Sequence, residues 1–184
     1  MAVKKNYNNK IKVGIIGCGR ISENHIKSIY IHNKLCDLVA ICDYDLTKIN
    51  QARMVIENCQ KEFGITSSKL QIFDNDIAFF DAIKENKMKL DLIVLTTPSG
   101  LHSKHTIMGA KLGVNICTEK PMATTWEDGV NMLDVCNKNN VRLFVVKQNR
   151  FNKTISLVKD QIRKKRFGKI GLVVMNVFWQ RPQS

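Results

Sequence analysis

Ile11-Lys12-Val13-Gly14-Ile15-Ile16-Gly17-Cys18-Gly19-Arg20-Ile21-Ser22 runs an apolar strand directly into a glycine turn, and its reading decides the fold of this chain. A turn of this kind brings backbone close to a pyrophosphate, with the amide groups of the following helix facing the negative charge. Gly17 and Gly19 hold the first two glycine positions, and Arg20 and Ile21 lead into the helix. The third position of the fingerprint takes Gly or Ala where helix and strand pack closely; Ser22 stands there instead and is small enough to be tolerated. Glycines alone have an ordinary explanation, since turns use them wherever φ must be positive. Here the surroundings decide. Ile21, Ile26, Ile29 and Tyr30 recur near the helical period, and Leu38-Val39-Ala40-Ile41-Cys42 reads as a second strand ending in Asp43. Asp43 stands 21 positions after Ser22, which matches the roughly 20-residue offset at which an acid meets the adenosine ribose hydroxyls. The pattern predicts a dinucleotide site on a βαβ unit.

Beyond Asp43 the chain alternates helical and strand periods with no internal repeats or low-complexity linkers, which predicts a doubly wound α/β fold around a parallel Rossmann sheet. Residues 45–63 read as a helix closed by Gly64, 70–73 as a short strand and 75–87 as another helix. Residues 91–97 have a continuous apolar centre, the mark of a strand covered on both faces, and Pro98 ends it. Ser99 is positioned to cap a helix running through Leu112 and Gly113, followed by a strand over 114–118. Thr124 or Thr125 caps a helix to Asn139, and 141–147 form a sixth strand. Residues just after such strands share one crevice, so Asp43, Thr97, Pro98, His102, Glu119, Lys120 and the Gln148-Asn149-Arg150 run join the glycine turn as candidates. Each has a plainer alternative: the prolines as punctuation, Lys120 as a surface lysine, His102 as part of a solvated helix.

Bulk properties narrow the function classes. The 184 residues suffice for one sizeable core and the beginning of a second domain. No apolar run approaches a membrane span, and residues 1–10 form a polar, lysine-bearing tail without an export signal behind it. The six cysteines, at 18, 36, 42, 59, 117 and 136, form no CxxC pair. Several sit in strand-like runs as small hydrophobes, so a reduced, cytoplasmic protein without a metal site is expected. A net charge of +13 would attract polyanions, yet the lysines are scattered. The one dense run, Arg163-Lys164-Lys165-Arg166, falls at the end of a predicted helix, where cations suit the dipole. The surplus charge also suits an acidic or phosphorylated substrate, and neither a nucleic acid nor a membrane is an expected partner.

Together these stretches resemble the Gfo/Idh/MocA oxidoreductases, which join a Rossmann domain to an α/β substrate domain, and the match covers nearly the whole chain. Its strongest token is Thr118-Glu119-Lys120-Pro121, similar to the family's E-K-P signature. The resemblance implies that Lys120 is catalytic, approaching nicotinamide and the reacting carbon, and that the Lys120–Pro121 bond is often cis. It implies cofactor contacts from Gly17, Gly19, Arg20, Ile21, Asp43, Thr97, Pro98, His102, Glu119, Lys120 and Gln148, and substrate contacts from Lys120, Asn149 and Arg150. Val146-Lys147-Gln148-Asn149-Arg150-Phe151-Asn152 and Phe178-Trp179-Gln180-Arg181-Pro182-Gln183 resemble members acting on nucleotide-linked amino sugars, UDP-N-acetyl-2-amino-2-deoxyglucuronate 3-dehydrogenases in particular.

The implied chemistry is hydride transfer between a sugar or nucleotide-sugar ring carbon and nicotinamide, with Lys120 handling the hydroxyl proton in a full-length form; as a fragment the chain is expected to be inactive. A lysine with a free pKa near 10.4 acts as a base near neutrality only beside positive charge or out of water. Asp43 favours NAD over NADP, because a carboxylate repels a 2′-phosphate and Tyr44 rather than arginine follows it. The boundaries expected are a Rossmann domain over 11–148, then a linker helix and, over 170–179, the first strand of a second domain that breaks off within 149–184. A homo-oligomer is expected only where that second domain is present. The open alternative is a non-catalytic dinucleotide-binding sensor or partner subunit.

Overall fold

The computed structural model describes residues 10–65, 69–178 and 180. The chain divides into two units, Met1–Val146 and Lys147–Ser184. In the first, strands β1 (Ile11–Ile16), β2 (Cys36–Cys42), β3 (Gln71–Phe73), β4 (Leu92–Leu95), β5 (Asn115–Thr118) and β6 (Leu143–Val145) alternate with helices α1 (Ser22–Ile31), α2 (Leu46–Phe63), α3 (Asp76–Lys84), α4 (His102–Lys111) and α5 (Trp126–Lys138). All five ladders are parallel, in the order β3-β2-β1-β4-β5-β6. This is a Rossmann sheet. The chain leaves β1 toward β2 on one side and returns beside it as β4, so the carboxyl ends of β1 and β4 open the crevice where such folds bind ligands.

Alternation along the strands builds two cores. Ile15, Ile41 and Val94 face one layer with Ile26 and Ile29 of α1 and Ile49, Ala52 and Ile56 of α2. Their neighbours Ile16, Ala40, Ile93 and Leu95 face the other, with Phe79 and Phe80 of α3. Burial on both faces is why the central strands read as unbroken apolar runs. At the centre of the second layer Phe79 meets Phe73 and Phe80 edge-on, at centroid distances of 5.4 and 5.5 Å.

Helix boundaries follow their caps. Asp45, Asn75 and Thr125 each accept a backbone N–H from the first turn of α2, α3 and α5, and Gly64 ends α2 in the left-handed region at φ 62°. Two expectations shift here. Ser99 opens a single 3-10 turn, Ser99–Leu101, and α4 starts only at His102. The helix expected to reach residue 87 stops at Lys84.

In the second unit a 3-10 turn over Gln148–Phe151 leads into α6 (Lys153–Arg163), capped by the Asn152 side chain on the Thr154 amide. The division falls two residues before the boundary expected at 148/149. Of the strand expected over 170–179, residues 170–178 join no ladder among the described residues, and Trp179 lies outside them. An alternating apolar run becomes a strand only when a neighbouring backbone takes up its hydrogen bonds. Leu172, Val173 and Phe178 are exposed accordingly. The tail over 1–9 and the segment 181–184 also lie outside the described residues. Among the described residues no helix is long and apolar enough to cross a membrane.

Phe79 has no exposed surface, so Phe79→Ala should cost about 3–5 kcal/mol by opening a cavity. Urea unfolding should show a lower midpoint at unchanged slope.

Candidate functional site

The glycine turn is shaped by what it cannot accommodate. Gly17 sits at φ +97°, and a Cβ there would lie 2.7 Å from the Thr96 carbonyl group and 2.8 Å from the Thr97 amide nitrogen. The turn therefore lies flat against the end of β4. Gly19 differs, because a Cβ on it would meet nothing within 4 Å. It faces open space, as a backbone cradle for a phosphate requires. Ser22 is buried, and its hydroxyl donates to the Gly19 carbonyl at 2.6 Å. The residue that departs from the fingerprint thus closes the turn itself. The amides of Gly19, Arg20 and Ile21 have no hydrogen-bond partner among the described residues. Unpaired amides at the entry of α1 suit an anion.

Asp43 holds the other side. Only 8% exposed, its Oδ2 accepts from the Cys18 amide at 2.7 Å and its Oδ1 from the Asp45 amide at 2.9 Å. Each carboxylate oxygen keeps a further lone pair. Cys18 beside it is no nucleophile. Burial, followed by the charge of Asp43, pushes its thiol up to about 12.

Gly17, Gly19, Asp43, Thr97 and Pro98 all line one cavity of about 560 Å³ at the carboxyl ends of β1, β2 and β4. Arg20 lies outside it, beside Gly19 in a smaller cleft, and Ile21 precedes the first turn of α1. The far wall brings in residues that the sequence did not single out. Asp76 accepts from Lys104 Nζ at 2.6 Å and lies 3.1 Å from His105 Nε2, while Lys48 joins from α2. Lys104 first, and His105 after it, hold the Asp76 carboxyl below the usual range. Burial pulls the His105 imidazole down, with Asp76 opposing and the charges of Lys104 and His102 adding. His105 was findable only as the residue one helical turn beyond His102.

His102 itself is 1% exposed and does not ride a solvated helix. Its Nδ1 lies 2.9 Å from the Pro121 carbonyl oxygen and its Nε2 2.9 Å from that of Thr97. Both ring nitrogens are taken by backbone, leaving neither for a direct cofactor hydrogen bond. After β5, Glu119 is buried, with Oε1 2.9 Å from His25 Nε2 on α1 and Oε2 accepting from the Lys120 amide at 3.2 Å. The Lys120–Pro121 bond is cis and the Lys120 side chain is exposed. Gln148, Asn149 and Arg150 lie in the 3-10 turn of the second unit.

A family model described as an oxidoreductase family with an NAD-binding Rossmann fold matches residues 11–147. Among solved structures, the WlbA dehydrogenase of Bordetella pertussis, in complex with NADH and UDP-GlcNAcA, is 42% identical. It superposes with a TM-score of 0.76 over 95% of this chain and 48% of that one. The Chromobacterium violaceum WlbA, with the same two ligands, is 37% identical at a TM-score of 0.77, over 96% of this chain and 46% of that one. A Bacillus subtilis scyllo-inositol 2-dehydrogenase that uses NADP(+) is 29% identical over 83% of this chain and 37% of its own length. The chain thus spans less than half the length of each relative.

Gly17→Ala should cost about 1–3 kcal/mol from backbone strain alone, whereas Gly19→Ala should change stability by no more than about 0.5 kcal/mol. Denaturant midpoints of the two variants check the contrast. His105 adds a pH dependence. With its folded-state pKa below the ordinary 6.5, the unfolded chain binds more protons in that window, so stability falls as pH drops through about 6.5. His105→Gln should flatten the plot of unfolding free energy against pH between about 7 and 5.

Proposed function

Because the chain belongs to the Gfo/Idh/MocA oxidoreductase family, whose Rossmann fold binds NAD, we propose that it carries the cofactor half of an NAD-dependent dehydrogenase acting on a nucleotide sugar. The observation that carries this reading is the pairing of a cofactor cradle at β1 with a Glu119-Lys120-Pro121 loop at β5 on the same sheet end. Gly17 and Gly19 leave room for the pyrophosphate, and the free amides at the start of α1 meet its charge. Asp43, fixed by two amides, offers its remaining lone pairs to the ribose hydroxyls. Thr97 and Pro98 form the wall opposite.

When bound, NAD supplies the acceptor for a hydride at nicotinamide C4. Lys120 would take the proton of the sugar hydroxyl as the ring C–H gives up its hydride, leaving a carbonyl on the ring. Glu119 accepts the Lys120 amide and so holds the backbone that carries this amine. Similarity to the two WlbA enzymes, solved with UDP-GlcNAcA, supports a nucleotide-linked amino sugar acid as substrate. On this reading Gln148 contributes to the cofactor site, and Asn149 and Arg150 to the substrate side. The proposed domain boundary stays near 148, and the proposed location is the cytoplasm.

Titration of the chain with NADH, followed by nicotinamide fluorescence, should show saturable binding that Asp43→Ala weakens by about tenfold. In a full-length version, Lys120→Ala should keep the NADH affinity while lowering sugar-nucleotide oxidation by about 10²–10⁴-fold. Absence of NADH binding would overturn the cofactor assignment. Binding without turnover in a full-length version would replace the dehydrogenase with a dinucleotide-binding subunit.

A further inference from the structure

The sheet order decides which end of a dinucleotide meets the far wall of the cavity. With its pyrophosphate on the turn after β1 and its nicotinamide toward Lys120 after β5, the adenosine runs the opposite way, over β2 and toward β3. Asp43 follows β2, Asp76 opens α3 just after β3, and both line the same cavity. Asn75 beside them is already engaged, since its Oδ1 accepts the Ala78 amide and its Nδ2 donates to Asp74. Asp76 is engaged on one oxygen only. Lys104 Nζ donates to its Oδ2 at 2.6 Å and His105 Nε2 lies 3.1 Å from that same oxygen, while Oδ1 has no partner among the described residues. Two contacts from α4 thus hold the carboxylate in place and leave its second oxygen as an acceptor on the cavity wall. Lys104, followed by His105, holds the carboxyl below the usual range, so at neutral pH the group accepts hydrogen bonds and donates none.

We propose that Asp76 reads the nucleobase of the bound nucleotide: its Oδ1 accepts from the 6-amino group of adenine and rejects a base that carries a 6-oxo group. This deepens the NAD reading and rests on it for the identity of the cofactor. The 6-substituent of a purine stands on the ring edge away from the sugar, so a base whose ribose is held at Asp43 presents that edge to the far wall. Pro98 and Leu101 supply apolar surface for the ring. Hypoxanthine in the same place sets its carbonyl oxygen against the carboxylate, two acceptors with no proton between them. A site built around one hydrogen bond discriminates strongly against a ligand that cannot make it. Asparagine at position 76 removes the discrimination and keeps the site, because its amide accepts from an amino group through oxygen or, turned over, donates to a carbonyl through nitrogen. The Lys104 pair that it weakens is too exposed to matter much for folding.

The test compares NADH with reduced nicotinamide hypoxanthine dinucleotide, which differs only in a 6-oxo group for the 6-amino group. Fluorescence titration of the unsubstituted chain should show NADH bound more tightly by about tenfold or more. In Asp76→Asn the ratio should fall to within about twofold, NADH weakening and the analogue tightening. Equal affinities in the unsubstituted chain overturn the proposal, and so does a preference that Asp76→Asn leaves intact. Calorimetric titration with ADP and inosine diphosphate puts the same question without nicotinamide. A tenfold preference for ADP in a chain that does not bind NADH would fail the NAD reading and leave Asp76 as the base reader. A chain that binds none of the four nucleotides overturns both.

Discussion

The hydrogen bond from the Cys18 amide to the Asp43 carboxylate, 2.7 Å long and buried, is the interaction on which the site depends. It crosses from the end of β1 to the end of β2 and sets the glycine turn against the sheet. Removing the acceptor would strand a buried N–H, which costs more than the bond itself contributes. The bond also fixes Asp43, whose second oxygen is occupied by the Asp45 amide at the entry to α2. One carboxylate thereby shapes the pyrophosphate turn, starts a helix and faces the cavity. On the other flank the turn meets Thr96, whose hydroxyl donates to the Gly17 carbonyl at 2.5 Å. The geometry of residues 17–19 is thus imposed by both neighbouring strands, and Gly17 is the one residue type that fits between them.

That dependence explains how much of the site was legible in the sequence. The glycines and Asp43 are separated by one βα unit, so local periodicity was enough to bring them together, and the parallel sheet followed from strands apolar on both faces. Helix starts near Asp45, Asn75 and Thr125 could be read because capping is a contact within one turn. Ties to other elements left no such trace. His25 meets Glu119 across 94 positions, and Asp76 meets His105 across 29. Neither pairing has a spacing rule, since each depends on which helix ends the sheet order brings together. His102 was visible as a residue near a strand end, but its burial between two carbonyls was not. The strand expected over 170–179 finds no partner among the described residues for the complementary reason: alternation describes a face, whereas a strand also needs a partner for its backbone.

The loop after β5 shows how an amine can be exposed on a backbone that is held. Lys120 projects from a turn whose preceding residue is tied through its side chain to α1 and whose following carbonyl is tied to α4. Backbone held on both sides leaves the lysine stem as the main freedom of the amine. A catalytic group must stand within hydrogen-bond reach of the proton it moves. For the proposed role of Lys120, rigidity in the loop therefore serves more than rigidity in the side chain would, because the stem could still follow a substrate oxygen.

Cofactor choice can be argued from the same anchoring. Two lysines line the cavity, but Lys104 is paired with Asp76 at 2.6 Å and Lys48 lies 3.7 Å from Asp45. Pairs this exposed are worth about 0–1 kcal/mol each, so a 2′-phosphate could recruit either lysine at small cost. Asp43 cannot be moved aside so cheaply. Held by two backbone amides, it cannot rotate out of the way, and a phosphate beside it would meet a fixed negative charge in a largely desolvated wall. A mobile cation can be won over by either cofactor, whereas an immobile anion discriminates. The anchored carboxylate therefore supports NAD, even though a relative with 29% identity uses NADP(+).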